Sequence, residues 1–451
     1  MPYRAEKAED RGRYHVVDVV YLYLGRKILI DAHPITMRVR FDRLKLLLSF
    51  LTAGGLLLFF FRARHQVSLQ LGVAYFQVQH PERLLVPEGS ENNLLLHPPL
   101  HTNGRDIVDA RNRRFKLSSV NWYGASDYLF VPGGLDLQHR DDISKTIKKL
   151  GFNSVRLPYS DEMVMDNPLI PAHLLAANGD LVGARALDVY VAVVNSLTDA
   201  GIAVIVNNHI TQATWCCGAN LCDAAWRNDY LGPVCRVSMS ESQWLANWET
   251  IMMFFFNNSL VIGADLRNEV RGLWGTMYWS QWASAAERAG NVLLSIRPDW
   301  LIIVEGTSSS NDLSVVRNHP IVLDIPDRVV YSAHVYSWSG WGSLGGMYAT
   351  RSYASFAKSM KENWAYLLEE DIAPVWIGEF GAPHQPENGD ANYWKNLLRY
   401  LKSVDADFGY WAINPRKPLH NEEETYGLLQ DDWHTPILDY RMRDMSELMK
   451  Q

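Results

Sequence analysis

From Lys116 onward, the pattern of apolar and polar positions divides the chain into two kinds of segment that alternate. Short runs rich in branched apolar residues predict buried strands, and the longer stretches between them, with apolar residues at helical spacing, predict helices. The eight predicted strands are Lys116–Asn121, Asn153–Pro158, Ile202–Asn207, Leu260–Asp265, Leu301–Glu305, Val329–His334, Val375–Gly378 and Phe408–Ile413. The predicted helices are Asp141–Leu150, Ala186–Ala200, Ser242–Phe256, Trp282–Ile296, Tyr353–Glu370 and Asn392–Val404.

Strands that alternate with helices in this way predict an α/β fold, a (β/α)8 TIM barrel. An open doubly wound sheet fits less well, because no Gly-x-Gly-x-x-Gly opens the first unit. The stretch Leu100–Lys116 predicts a β-hairpin with a tight turn at Asn103–Gly104, which we expect to close the bottom of the barrel. The tail from Arg416 supplies at most the last loop and helix, so residues 98–451 are predicted to form one domain.

Residues 46–61 are an uncharged apolar run without the polar face of a soluble helix. The run has 16 residues, slightly few for a span, so a transmembrane signal anchor and a signal peptide both stay open. The sequence after it lacks a convincing small-x-small cleavage site, which favours a retained anchor. Basic residues are more frequent before the run than after it, namely Arg38, Arg40, Arg43 and Lys45 against Arg62 and Arg64.

That charge bias predicts a cytoplasmic N-terminus and places the rest of the chain in the secretory pathway. We therefore expect either a type II membrane-anchored protein with an extracellular or lumenal domain, or a secreted protein. Residues 1–45 are either cytoplasmic or a spurious N-terminal extension, and Met37 is an alternative start. Residues 62–97 are predicted to be a stem or wrapping segment.

The composition is that of a folded chain, because 47% of its 451 residues are hydrophobic and 21% are charged. Its net charge of -7 supplies no basic field for a phosphate backbone, so no nucleic-acid partner is expected. The 16 Trp and 21 Tyr exceed what a core of this size needs. Flat amphipathic rings are useful where sugar faces must be stacked.

All the cysteines fall in one short stretch, at positions Cys216, Cys217, Cys222 and Cys235. A zinc site would favour paired C-x-x-C knuckles, which two adjacent cysteines do not supply. An even number of cysteines in a chain with an export signal favours two disulfides instead. The pairing cannot be read from the sequence, but we expect Cys216 and Cys217 each to bond to one of Cys222 and Cys235.

Two glutamates, Glu269 and Glu379, stand at the C-terminal ends of predicted strands and are followed at once by loop-like sequence. In a parallel barrel this edge is where catalytic groups collect, so they predict a paired-carboxylate active site. Other strands end in further polar or aromatic residues, namely Asn121, Trp122, Arg156, Asn208, His209, Asn268, Glu305, His334, Tyr336 and Trp411. His209 and His334 could alternatively bind a metal, but no third ligand has suitable spacing, so neither metal nor cofactor is expected.

This pattern resembles glycoside hydrolase family five, the cellulase-type clan of retaining barrels, over residues 98–440. The matching residues, in chain order, are Arg156, His209, Asn268, Glu269, His334, Tyr336, Glu379 and Trp411. The stretches Asn208–Cys217 and Leu266–Gly272 further resemble the plant-type cellulase-like subgroup. One departure is Val270, which stands where the family usually has Pro and lies beyond the carboxylate.

The resemblance implies a retaining hydrolase of a β-linked polysaccharide or oligosaccharide, most simply an endo-acting β-1,4-glucanase, with Glu269 as acid/base and Glu379 as nucleophile. It implies that Asn268 contacts the sugar 2-hydroxyl and that Trp411 is a sugar platform. The other implied substrate-binding residues are Arg156, His209, His334 and Tyr336. Apart from the resemblance, Trp122 is predicted to bind substrate by extending the platform of Trp411. Arg156 and Tyr336 would also keep Glu379 ionised, and Glu305, on the strand next to that of Glu269, would be a support or a substrate contact.

Further platforms are predicted at Trp215, Trp274, Trp338 and Trp341. Two other functions stay open. The same carboxylates would serve a transglycosylase that remodels wall glucan, which would yield products longer than its substrate. A catalytically silent carbohydrate-binding or wall-sensing protein would bind without turnover.

Overall fold

The structure is a computed structural model that describes residues 78, 80–86, 96–217, 219–272, 276–340, 343, 345–418 and 421–450. The predicted N-terminal extension and the apolar run at residues 46–61 lie outside these ranges, as do Trp274 and Trp341. Within the described ranges, no helix combines the length and hydropathy that crossing a membrane requires.

Eight parallel strands close into a barrel whose neighbours follow chain order, the last strand pairing with the first. These strands are β3 (Ser118–Asn121), β4 (Ser154–Ser160), β5 (Ala203–Ile210), β6 (Val261–Asp265), β7 (Leu301–Glu305), β8 (Val329–His334), β9 (Val375–Phe380) and β10 (Asp407–Tyr410). A two-stranded antiparallel hairpin precedes them, formed by β1 (His101–Asn103) and β2 (Asp106–Val108). The predicted (β/α)8 barrel is confirmed.

Helices cover the outside of the barrel and bury their apolar faces against it. They are α1 (Arg140–Lys149), α2 (Asp161–Asp166), α3 (Ala186–Asp199), α4 (Glu241–Met253), α5 (Trp279–Ile296), α6 (Tyr353–Met360), α7 (Tyr366–Glu369), α8 (Asn388–Val404) and α9 (Tyr440–Met449). The predicted helix Tyr353–Glu370 is divided into α6 and α7 by a π-helical turn at Lys361–Ala365.

The hairpin closes the N-terminal end of the barrel, as predicted. Ile107 of β2 and Phe115 belong to one buried cluster with inward-facing residues from the early part of the barrel strands, among them Ile205 and Ile303. The turn itself lies one residue later than expected, because Asn103 pairs with Asp106 and leaves Gly104 and Arg105 as the turn residues. Gly104 has a φ of 53°, a conformation that glycine adopts at little cost.

Part of the segment predicted as a stem or wrapping segment packs against the barrel. Pro81–Leu84 form a short 3₁₀ helix, and Leu84 and Leu85 contact the main hydrophobic core. The backbone N–H of Val86 donates a hydrogen bond of 2.8 Å to the carbonyl of Lys149, the last residue of α1. Residues 80–86 therefore belong to the packed structure.

Candidate active site

The C-terminal ends of the barrel strands bring the two predicted glutamates together. Glu379 lies one residue before the end of β9, in register with His334 of β8, and Glu269 follows β6. A carboxylate oxygen of each glutamate and a ring nitrogen of His334 all lie within 4.8 Å of one another. His334 Nδ1 is 3.1 Å from Glu269 Oε1 and 3.7 Å from Glu379 Oε2. These three side chains form the centre of the candidate site.

Arg156 lies beneath this centre and organises it. Its Nε donates to Asp265 at 2.7 Å, and each terminal nitrogen donates to two further side-chain oxygens. These acceptors are Asn121 (3.0 Å) and Glu379 (2.5 Å) for Nη1, and Asn268 (2.8 Å) and Glu305 (3.0 Å) for Nη2.

The predicted role of Arg156 as a substrate-binding residue is therefore corrected. A guanidinium has five N–H groups, and the structure gives each of them a protein acceptor. The side chain is also fully buried. Arg156 instead contacts the carboxyl groups, which was the other role predicted for it. It has neither a free donor nor an exposed surface for a sugar.

Glu379 is held on both of its oxygens. Oε1 accepts from Arg156, and Oε2 accepts from the hydroxyl of Tyr336 at 2.9 Å. Burial and the neighbouring Glu379 charge raise the pKa of Tyr336 well above its ordinary value, so its hydroxyl keeps the proton that it donates. The two donors fix the orientation of the Glu379 carboxyl group.

Glu269 has the opposite environment. Burial raises the pKa of its carboxyl group to about 7, against the opposing effect of Arg271 and Arg156. Its backbone has a φ of 48°, and its backbone N–H donates a hydrogen bond of 2.7 Å to Glu305 Oε2. A left-handed backbone at a residue other than glycine is strained and persists only where its surroundings hold it. Glu305 is thus a support for Glu269, one of the two roles predicted for it.

The two predicted histidines are both neutral at neutral pH. Burial lowers the pKa of His334 to about 4. Burial and the charge of Arg156 lower that of His209 well below its ordinary value. His209 Nδ1 lies 2.9 Å from Asn207 Oδ1. Because a carbonyl oxygen only accepts, His209 carries its proton on Nδ1, and its Nε2 is an acceptor.

Aromatic rings line one side of the site, but they do not include Trp122. Trp411 stacks on Tyr123 with ring centroids 4.8 Å apart and on His209 at 5.5 Å, and both rings border a small cavity with Trp215. Trp122 is 0% exposed and lies in the outer core, where its indole N–H bonds the carbonyl of Gly133. Its prediction as a substrate-binding residue was wrong, because successive side chains of an extended chain point to opposite faces.

A second aromatic surface lies beside Glu379. The ring of Trp338 stacks on Tyr336 with centroids 4.5 Å apart and is 51% exposed. Trp215 is 46% exposed near Trp411. These two tryptophans therefore offer open ring area at the site, as a sugar platform requires.

The cysteines form two disulfides, as predicted, but the expected pairing was wrong. Adjacent Cys216 and Cys217 bond to each other, and Cys222 bonds to Cys235. The expectation assumed that a bridge closes a long loop, and it overlooked that two neighbouring residues can close a ring through their shared peptide bond. Only the Cys222–Cys235 bridge, which spans 13 residues, staples the loop.

Three residues of the site were missed from the sequence. Asp265 is fully buried and accepts from Arg156 and from Asn207 Nδ2 at 3.0 Å. An aspartate within the apolar run Val261–Asp265 was the signal that would have found it. Tyr123 and Glu424 had no such signal. The Tyr123 hydroxyl donates to Glu424 Oε2 at 3.0 Å, a contact between residues far apart in the chain.

Glu269, His334 and Glu379 also have the spacing of a metal-ligand group, the one such group found among the described residues. The histidine pair considered from the sequence does not form it, since His209 is not one of its three residues. The deeply buried Arg156 is already the counter-ion of Glu379. The set is thus a carboxylate pair with its own cation.

A closed (β/α)8 barrel with two glutamates close together at its C-terminal end, one of them with a raised pKa, is the architecture of a glycosidase that hydrolyses O-glycosyl bonds. The model of the family described as cellulase (glycosyl hydrolase family 5) matches residues 108–417. The chain belongs to this family, as its resemblance implied.

Proteins of similar sequence or structure have names that are consistent with this family. An endoglucanase of Paenibacillus polymyxa is 32% identical over 74% of this chain and 83% of its own length. A major extracellular endoglucanase of Xanthomonas campestris pv. campestris is 29% identical over 73% of this chain and 67% of its own. The solved structure of a hyperthermophilic endocellulase from Pyrococcus horikoshii superimposes with a TM-score of 0.67 at 25% identity, covering 78% of this chain and 99% of that one.

Proposed function

We propose that this glycosidase cleaves β-1,4-glucan within the chain, with retention of anomeric configuration, by double displacement between Glu379 and Glu269. The observation that carries the proposal is the placement of the two carboxylates with His334 within 4.8 Å. Retaining glycosidases hold their carboxyl groups about 5–5.5 Å apart, whereas inverting ones leave about 6.5–9.5 Å for a water molecule.

In the first step, a Glu379 oxygen attacks the anomeric carbon and the bond from that carbon to the leaving oxygen breaks. Glu269 gives its proton to the leaving oxygen. Its pKa of about 7 keeps it protonated in mildly acidic solution. Arg156 and Tyr336 favour the ionised form of Glu379 before the attack.

In the second step, Glu269 is a carboxylate and removes a proton from water, which attacks the anomeric carbon and releases Glu379. Glycosylation removes the negative charge of Glu379, so the carboxylate of Glu269 now has one less neighbouring anion and is easier to keep ionised. His334 Nδ1 lies near both carboxyl groups and orients them through both steps.

The substrate part of the proposal rests on the similar proteins, which are named as endoglucanases and an endocellulase. The exposed rings of Trp338 and Trp215 support it, because an unbranched glucan presents flat sugar faces. A position outside the cytoplasm is part of the same proposal, supported by the two disulfides and by the name of the extracellular relative.

The test combines a polysaccharide panel with two variants. We expect reducing ends to appear fastest on a β-1,4-glucan, and the first product to have the β configuration by proton NMR. Glu379→Ala should abolish hydrolysis. Glu269→Ala should still release a very good leaving group such as 2,4-dinitrophenolate, and added azide should then give a β-glycosyl azide. A first product of α configuration would contradict the mechanism.

A further inference from the structure

The Cys216–Cys217 disulfide lies against a residue of the active site. Its two sulfurs are 3.8 Å and 3.5 Å from Nδ2 of Asn268, the residue directly before Glu269. Cys216 also borders the cavity that Trp411 and His209 line. The second bridge, between Cys222 and Cys235, is in the same loop, and no described contact joins it to Asn268.

The contacts of Asn268 fix which way its amide group points. Oδ1 accepts from Arg156 Nη2 at 2.8 Å, so Nδ2 must point away from that guanidinium. The groups that meet Nδ2 there are the sulfurs of Cys216 and Cys217. Disulfide sulfur accepts hydrogen bonds only weakly. The amide is therefore oriented, while its hydrogens stay available to a better acceptor such as a sugar hydroxyl.

The backbone at the disulfide is also held in an unusual conformation. Cys217 has a φ of 78°, which residues other than glycine rarely adopt. Its backbone N–H donates to Asp223 Oδ2 at 3.4 Å, and Asp223 Oδ1 accepts from the buried Arg267 at 2.7 Å. Strained backbone of this kind is concentrated at functional sites and persists only where the surrounding structure enforces it.

We propose that the Cys216–Cys217 disulfide is a positioning element for catalysis, which holds the Asn268 amide toward the sugar that is cleaved. It rests on the proposed function only in placing that sugar between Glu269 and Glu379. Substitution of both cysteines removes the sulfurs that meet Nδ2, and reduction lets the two sulfurs move apart. Either change leaves Arg156 bonded to Oδ1 but releases Cys217 from its left-handed conformation.

The test is a double-mutant cycle with a matched control. Cys216→Ala/Cys217→Ala and Asn268→Ala should each lower kcat/KM by about 10- to 100-fold, the effect of a small misplacement at the reacting centre. Adding the Cys216 and Cys217 substitutions to Asn268→Ala should lower it no further. Cys222→Ala/Cys235→Ala should lower the unfolding temperature but change kcat/KM below that temperature by less than about twofold.

A second measurement starts from folded protein. The chain has four cysteines, so in Cys222→Ala/Cys235→Ala the remaining pair is Cys216 and Cys217. A phosphine reductant should convert that disulfide to two thiols and lower kcat/KM as the alanine pair does, and oxidised glutathione should restore it. If the reduced and oxidised forms are equally active, or if the cycle is additive, the proposal is overturned.

Both measurements use whichever glycan the wild-type chain hydrolyses fastest. If the proposed substrate is wrong, only the polysaccharide panel with the wild-type chain shows it. The double-mutant cycle can still be measured on the glycan that is hydrolysed. A wrong positioning role would appear as an active wild type whose activity does not depend on the adjacent cysteines.

Discussion

One guanidinium contacts several carboxyl groups at the centre of the barrel, where burial acts on each of them. Arg156 contacts Asp265, Glu305 and Glu379 directly. Burial and the charge of Asp265 raise the pKa of Glu305, and burial raises that of Glu269. The raised pKa of Glu269 suits a proton donor, whereas the carboxyl group of Glu379 accepts hydrogen bonds from Arg156 and Tyr336. The proposed acid and the proposed nucleophile differ in this way.

This difference predicts the alkaline limb of the pH profile. Glu269 must be protonated to donate, and its pKa is raised to about 7, so kcat/KM should fall as pH rises through about 7. The measurement is kcat/KM across pH on an aryl glycoside with a poor leaving group. In Glu269→Ala, assayed with a leaving group that needs no proton, the alkaline limb should vanish. An unchanged limb in that variant would assign it to another group.

At the level of single residues, the site residues at strand ends could be predicted from the sequence, whereas those contributed by distant loops were missed. Glu269, His334 and Glu379 each end or follow a recognisable strand, so their meeting could be predicted. The errors at Arg156 and Trp122 both come from information that the sequence pattern lacks. A pattern of strand ends shows neither which face a side chain occupies nor how many of its donors are already used.

The hairpin is the element whose stability can be separated from function. Ile107 is fully buried at the N-terminal end of the barrel, opposite the catalytic end. Ile107→Ala should lower the free energy of unfolding by about 2–5 kcal/mol, and the control Ile107→Val by about 0.5–1.5 kcal/mol. Chemical denaturation measures both. Below the transition, kcat/KM should stay equal to that of the wild type in each variant, and a large loss of activity would contradict the separation.

Strands were the easiest elements to predict, and loops the hardest. Strands β7 and β8 begin and end at the predicted residues, because branched apolar runs buried on both faces leave few alternatives. The loop after β5 is different. Its course depends on Asp223, a residue of this loop. Asp223 Oδ1 accepts a hydrogen bond of 2.7 Å from Arg267, and Asp223 Oδ2 accepts one of 3.4 Å from the backbone N–H of Cys217. Such contacts follow no repeating pattern of apolar and polar residues. The course of the loop, and with it the disulfide pairing, could therefore not be predicted from the sequence.

For the whole molecule, the structure extends the packed region beyond the predicted domain start at residue 98. The carbonyl of His97 accepts from the backbone N–H of Ala110 at 2.9 Å, and Leu96 packs on the cluster that the hairpin completes. Farther toward the N-terminus, Leu84 and Leu85 pack on the main core. Val86 bonds the carbonyl of Lys149, the last residue of α1.

Two truncated chains separate the domain boundary from the activity. The free energy of unfolding should be about 2–4 kcal/mol higher for a chain of residues 78–451 than for a chain of residues 96–451, since the shorter chain lacks the partly buried Leu84 and Leu85. Both should have the same kcat/KM on the best glycan, because both keep the barrel and its hairpin. Leu84→Ala/Leu85→Ala in the longer chain should reproduce most of the loss. Equal stability of the two chains would mean that residues 80–86 contribute nothing to the fold, and an inactive shorter chain would mean that they support the catalytic end after all.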